Sequence, residues 1–408
     1  MYNLGIHILS FILKALALFN DKIKKGVEGR KKTFEILKNH LIPNDKTIWF
    51  HCASLGEYEQ GLPVFESIRK KYPAYKIVLT FFSPSGYEIR KNTPVADVVV
   101  YLPLDTKGNS RRFLDIVNPE FTVFIKYDIW PNILNELKRR QGRAILISAL
   151  FRKNHSYFKW YGNHLRKAIR AFEHIFVQNE NSKMLLEDID ITNVTVSGDT
   201  RYDRVSNQLL QDNTLNFISD FKGDSLCIVI GSSWPEDEAL LIPYINKNAS
   251  KDLKFIIAPH NIQNTQIKNI TTKLEPDYVL FSDMQNQNIK DAPVFVMDTI
   301  GLLTKIYSYA DMAYVGGAMG TTGLHNILEP AVFGVPIIIG SNYDKFPEAE
   351  LMIKNGGVFS VNNFNILEKK LNELVKNSDK RVQLGSLNKT FIQKNKGAVN
   401  QITDYIRI

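Results

Sequence analysis

Glu57 is the clearest candidate for acid–base chemistry. It closes Ser54-Leu55-Gly56-Glu57, which directly follows the apolar run Ile48–Cys52 and opens a helical pattern. At the carboxyl end of a parallel strand a carboxylate faces a cleft, and a general base there needs only hydrogen-bond reach of a substrate hydroxyl. As an ordinary first-turn acid it would instead only favour the helix dipole, and spacing alone leaves both readings open. A second concentration runs from Gly316 to Pro336. Gly316, Gly317, Gly320 and Gly323 stand before a helix expected to begin near His325. Glycines let the backbone turn tightly and bring N–H groups to a ligand, and a helix N-terminus suits a phosphate. Glu329, one turn in, is placed to accept from a sugar diol as the acid of dinucleotide folds does. The competing reading is a glycine-rich connection with a satisfied cap.

Other strand ends carry similar chemistry. Thr80…Ser83-Pro84-Ser85-Gly86 offers hydroxyls to a ligand or to a turn. Gly231-Ser232-Ser233-Trp234, Pro259-His260 and Asp298-Thr299-Ile300-Gly301 each end a strand candidate on the side of the glycine-rich stretch. His260 and His325 suit phosphate or base contacts. No His/Cys/carboxylate cluster has ligand spacing, so no protein-held metal is expected. Phe151 to Phe172 interleaves Arg152, Lys153, Lys159, Arg166, Lys167 and Arg170 with Tyr157, Phe158, Trp160 and Tyr161. That mixture fits single-stranded nucleic acid, an anionic lipid surface, or a solvated helix with core aromatics. With an apolar N-terminus in the same domain, lipid is the better functional choice.

These loops need strands to hold them. From Lys46 the chain alternates short β-branched runs with helical patterns: Ile48–Cys52, Ile77–Phe82, Val98–Leu102, Thr122–Ile125, Ala144–Ile147, His174–Val177 and Val194–Val196. A second set follows at Leu226–Ile230, Lys254–Ala258, Tyr278–Phe281, Val294–Met297, Ala313–Val315 and Ile337–Ile339. Alternation of this kind means right-handed crossovers and parallel sheets covered on both faces. The α/β chain is therefore expected to form two tandem Rossmann-like, doubly wound domains, at 21–205 and 226–408, with a polar linker at 206–225 and a ligand cleft between them. Residues 1–20 are expected to anchor the chain to a membrane. Leu4–Phe19 is apolar, but Asn3, His7, Ser10, Lys14 and Asp21 share a narrow helical stripe, as in an amphipathic anchor. A signal peptide and a helix buried in the core are the rivals. The 408 residues carry a net charge of +9, favouring anionic partners, and Cys52 and Cys227 lie in strand-like runs as buried thiols.

Taken in order, Ser54–Glu57, Thr80…Gly86, Trp130-Pro131-Asn132, Gly198…Tyr202-Asp203, Asp298–Gly301 and Gly316-Gly317…Gly323–Pro330 give a chain that resembles the 3-deoxy-D-manno-octulosonic acid (Kdo) transferases of lipopolysaccharide synthesis. The resemblance spans essentially the whole length. It implies a glycosyltransferase of GT-B architecture at the cytoplasmic face of the bacterial inner membrane, with CMP-Kdo as donor, a lipid A precursor (lipid IVA) as acceptor, an anionic membrane surface as partner, no nucleic acid and no cofactor. By motif, Glu57 matches the catalytic base. Pro259, His260, Ile300, Gly301, Leu302, Asn326, Ile327, Leu328 and Glu329 match CMP-contacting segments, and Ser232, Ser233 and Gly317 join them at the donor side. Ser54, Gly56, Ser83, Ser85, Asp128 and Arg152 fall on the acceptor side.

The chain departs from the family pattern at three places. Lys126, Tyr127 and Asp128 stand where two glutamates often flank a threonine, His260 where arginine is common, and Leu302 where a glutamate often follows Gly301. Other classes remain on the table: a second GT-B enzyme, such as a nucleotide-sugar epimerase or a transferase with another donor, and a non-catalytic module for anionic lipid or nucleic acid. An epimerase would have no use for the apolar N-terminus. A binding module would survive loss of Glu57 and Glu329.

Overall fold

A computed structural model describes residues 2–408; Met1, the first residue of the expected anchor, lies outside the described residues. The chain divides into two compact units. The first holds the residues up to Arg204 together with Lys396–Ile408, and the second is Val205–Asn395.

In the first unit the strands are β1 (Thr47–Cys52), β2 (Lys76–Phe81), β3 (Val98–Tyr101), β4 (Pro119–Ile125), β5 (Arg143–Ala149), β6 (His174–Val177) and β7 (Val194–Val196). They form one parallel sheet in the order β3-β2-β1-β4-β5-β6-β7. Every residue of β1 is buried, as befits a central parallel strand covered on both faces. Alternation sends Ile48, Phe50 and Cys52 into one core cluster and Trp49 into the other. The order reverses between β1 and β4, so the loops after these two strands flank the switch-point crevice where doubly wound sheets hold ligands.

Four helices matter for the site: α1 (Tyr2–Leu16), α2 (Asp21–His40), α3 (Leu55–Lys71) and α4 (Pro84–Arg90). Two glycines press α2 onto the strand ends. A Cβ at Gly29 would stand 2.2 Å from the Tyr101 ring, and one at Gly26 would meet Pro84 at 3.3 Å. At α1 the amphipathic pattern is inverted relative to an ordinary surface helix. Its inner side is tied down by the Tyr2 hydroxyl donating to Asp105 at 2.8 Å, by Asn132 donating to the Asn3 side chain at 2.7 Å, and by buried Ile6. Leu4, Ile8, Phe11, Ile12 and Leu16 are exposed, as are Leu18 and Phe19 beyond it. No helix among the described residues is long and apolar enough to cross a membrane.

The second unit repeats the plan with β8 (Leu226–Ser233), β9 (Leu253–Pro259), β10 (Tyr278–Leu280), β11 (Val294–Val296), β12 (Met312–Val315), β13 (Ile337–Ile339) and β14 (Val358–Ser360). The parallel order is β10-β11-β9-β8-β12-β13-β14, which places its switch point between β8 and β12.

Three expectations change. The stretch 206–225 is not simply a linker, because Asn216–Lys222 is helical and buries Ile218 and Phe221. The assignment of 226–408 to one domain also fails at its end. The helix Ala398–Tyr405 returns to the first unit, where Ile402 and Ile406 join the core with Ile48 and Phe50, and where Gly397 N–H donates to Asp203. Finally, β14 has no counterpart among the expected strands: only Val358 of its three residues is buried, so it lacks the apolar run that marks a central strand. Cys52 and Cys227 are both buried free thiols.

Candidate active site

Glu57 lies in the first turn of α3, after β1, and is only 8% exposed. The Ala53 N–H donates to its Oε2, and no other hydrogen bond to this carboxyl occurs among the described residues. Burial first, and then the negative charge of Asp128, push its pKa up from 4.5 to about 7; the Ala53 N–H and Lys126 pull the other way. A carboxylate tuned to this range is poised to take a proton near neutral pH.

Asp128 comes from the loop after β4, so the two switch-point strands each deliver one carboxylate. It is fixed by neighbours. His51 Nε2 stands 2.5 Å from Asp128 Oδ2, and Trp130 Nε1–H donates to the same oxygen at 2.9 Å. His51 Nδ1 lies 2.7 Å from Thr80 Oγ1, which also accepts from Trp49 Nε1 at 2.8 Å. Both ring nitrogens of His51 are thus engaged, Nε2 by Asp128 and Nδ1 by the Thr80 hydroxyl, which also lies 3.3 Å from the Phe50 carbonyl. Asp128 is thereby held as a fixed charge beside Glu57. Lys126, opposing it, sits in the left-handed region at φ 68°.

Ser54 is the N-cap position of α3 without a side-chain cap bond, and a Cβ on Gly56 would enter open space. Ser83 caps α4 by accepting from Ser85 N–H, and the two hydroxyls are 3.0 Å apart. Ser83 N–H donates to Ala53 O at 2.7 Å. The Ser83 loop is therefore one residue's hydrogen bonds from the Glu57 carboxyl. Arg152 is exposed beyond β5.

In the second unit a cavity of about 260 Å³ is lined by Ser232, Pro259, His260, Ile300, Gly301 and Leu302 among others. The strand ends of β8, β9 and β11 build it. The His260 ring stacks on Trp234 at 4.6 Å and abuts His325 at the same distance. Trp234 Nε1–H donates to His325 Nε2 at 3.0 Å, which leaves the His325 proton on Nδ1. Burial, then His260, push His325 down to about 4, and burial lowers His260 too. Both rings are accordingly neutral at pH 7 and act as hydrogen-bonding groups rather than cations.

Behind them, buried Asp237 ties the two switch-point loops together. It accepts from Trp234 N–H at 2.9 Å, Gly317 N–H at 2.8 Å and the Tyr314 hydroxyl at 2.8 Å. Gly317 adopts φ 96°, and a Cβ there would stand 2.1 Å from Gly323 O. Its role is to shape the loop, since its N–H is already taken. Ser233 is likewise occupied, with its buried hydroxyl donating to Glu238 at 3.0 Å.

The helix expected near His325 begins instead at Leu328 and ends at Val332. His325 N–H donates back to Gly316 O, and Asn326 Oδ1 accepts from Leu328 N–H, so the preceding residues close a loop. Helix-dipole binding of phosphate loses its basis with so short an element. Ile327 and Leu328 are core side chains. Glu329 accepts from Asn326 Nδ2 and Thr304 Oγ1, both at 3.1 Å. It is thus joined to the segment that continues from Leu302. No group of three or more His, Cys, Asp or Glu among the described residues is placed to hold a metal ion.

Sequence reasoning passed over His51, Asp237 and Thr304. His51 left a usable signal: a histidine inside an otherwise apolar strand must find partners once buried.

The family model described as 3-deoxy-D-manno-octulosonic-acid transferase (kdotransferase) matches residues 28–204. A 3-deoxy-D-manno-octulosonic acid transferase of Haemophilus influenzae is 27% identical over 97% of this chain and 95% of its own. One of Chlamydophila psittaci is 28% identical over 78% of this chain and 75% of its own. Among solved structures, UDP-GlcNAc 2-epimerase from Neisseria meningitidis superposes with a TM-score of 0.62 at 15% identity, covering 88% of this chain and 98% of that one. At that identity the likeness establishes the GT-B fold alone. Over residues 28–204 the chain matches the Kdo transferase family model, and over nearly its full length it is similar to named Kdo transferases.

Proposed function

We propose that the protein is an inverting glycosyltransferase that moves Kdo from CMP-Kdo to the primary hydroxyl of a lipid A precursor, lipid IVA. The observation that carries this reading is Glu57: a buried carboxylate at a switch-point strand end, raised to about 7 beside a second, fixed carboxylate. Glu57 takes the proton of the acceptor hydroxyl as its oxygen bonds to the anomeric carbon of Kdo. The bond from that carbon to the CMP phosphate oxygen breaks, and CMP leaves with the electron pair. Direct displacement inverts the anomeric centre. The cavity at His260 and Gly301 suits the cytidine monophosphate, with neutral imidazoles and backbone as hydrogen-bonding partners.

The exposed apolar side of α1 supports attachment to the cytoplasmic face of the inner membrane. Phe11 and Phe19 are 75% and 89% exposed, and Lys22, Lys24 and Lys25 follow to meet anionic headgroups. Trp160 and Tyr161, also exposed, belong to the same unit. Acceptor-dependent release of CMP from CMP-Kdo tests the reaction: release that rises with lipid concentration is expected, and release indifferent to the lipid would remove the acceptor from the scheme.

A further inference from the structure

Two adjoining cavities in the first unit lie between α1 and α2, and Leu13, Val27 and Arg30 line both. The larger, about 240 Å³, is walled by Phe34 and Leu104 and carries Lys14 and Lys31. The smaller, about 200 Å³, reaches Phe82, Ser83 and Pro84. Ser83 N–H donates to Ala53 O, and Ala53 N–H donates to Glu57. An apolar crevice therefore runs from beside the proposed base to the foot of the exposed apolar helix.

Arg30 forms its floor. Its guanidinium donates to the carbonyls of Gly26, Leu102 and Phe82 and lies 4.3 Å over the Phe82 ring. No carboxylate pairs with it among the described residues. Burial lowers its pKa to about 10, the mark of a cation held without a counter-charge. With Lys14, Lys22 and Lys31 around it, the crevice combines apolar walls with unneutralised positive charge. That is the complement of an acyl chain attached to a phosphorylated headgroup.

We infer that this crevice is the acyl subsite of the acceptor: one acyl chain of the phosphorylated lipid lies against Leu13, Val27 and Phe34, and its phosphate faces Arg30, Lys14 and Lys31. The inference rests on the acceptor reading above and deepens it. Continuity with the Glu57 loop argues for the substrate lipid over bulk membrane lipid, because a chain seated here is tethered to a sugar within reach of the base.

The test uses the full-length protein and a tetraacylated glucosamine disaccharide bisphosphate bearing a diazirine in one acyl chain. Photo-adducts are expected on peptides spanning residues 13–34 and 103–109. They should be competed by the unlabelled lipid and spared by an equal excess of phosphatidylglycerol vesicles. Adducts confined to the outer side of α1, at Leu4, Ile8 and Phe11, would overturn the subsite. Equal competition by phosphatidylglycerol would assign the crevice to bulk lipid and overturn it too. In parallel, Val27→Trp should raise KM for the acylated acceptor about tenfold, the equivalent of excluding roughly two methylenes from apolar contact, and leave kcat/KM for a deacylated acceptor unchanged. Equal losses on both acceptors would refute the assignment. The adduct map needs no turnover, so failure of the wild type to transfer Kdo would refute the reaction and leave the site to be judged separately.

Discussion

Replacing Glu57 with glutamine should make the protein more stable at alkaline pH while abolishing its catalysis. In the folded chain this carboxyl holds its proton to about 7, against an ordinary value of 4.5. Between those values the folded state binds more protons than the unfolded one, so stability falls as pH rises through this window and stays lowered above it. A shift of this size corresponds to about 3 kcal/mol. Glutamine does not titrate, yet its side-chain oxygen still accepts from Ala53 N–H. The gain over wild type should therefore be near zero below about pH 4 and reach about 3 kcal/mol above about pH 8. Denaturant-dependent hydrogen exchange at the β1 amides reads the first unit directly, independent of how the second unfolds. In the same variant transfer should fall by about a hundredfold or more, the usual contribution of a general base. A stability difference flat with pH would refute the argument that burial raises Glu57.

Lys126→Met removes a charge that lowers the Glu57 pKa, so the acid limb of the kcat/KM profile should move to higher pH; a move to lower pH would contradict the assigned field. Asp237→Ala strands two backbone N–H groups and the Tyr314 hydroxyl and should cost about 3 kcal/mol or more, with a raised KM for CMP-Kdo. Calorimetry and kinetics check both effects. Phe11→Glu combined with Phe19→Glu places charge on exposed positions and should shift the protein from membrane to soluble fractions without altering transfer to detergent-dispersed acceptor. Retention on membranes would move the attachment to the Trp160 region.

The strand pattern was legible because central parallel strands are buried on both faces and read as short β-branched runs; His174–Val177 and Ile337–Ile339 match to the residue. What escaped was set by partners far apart in the sequence. Nothing local marks the helix at Ala398–Tyr405 as belonging to the first unit: its apolar side fits either core, and the capture of Gly397 by Asp203 spans 194 residues of sequence. The Gly316–Ile327 loop resembled a phosphate-binding turn because its glycines are real requirements. Asp237 and Gly323 O explain them through close packing instead. At Glu57 the sequence supplied the position, but the proton affinity depends first on burial in the fold and then on Asp128, and Asp128 on His51 and Trp130. A strand-end carboxylate is readable alone. Its pKa is not.

The central claim is Kdo transfer, and the most direct measurement is mass-resolved product analysis. Purified wild type and Glu57→Gln would be incubated with CMP-Kdo and a tetraacylated lipid A precursor, with CMP release followed alongside. The account predicts lipid gaining the mass of Kdo in step with CMP release for wild type, and neither for the variant. CMP release without any gain on the lipid, or undiminished gain with Glu57→Gln, would contradict it.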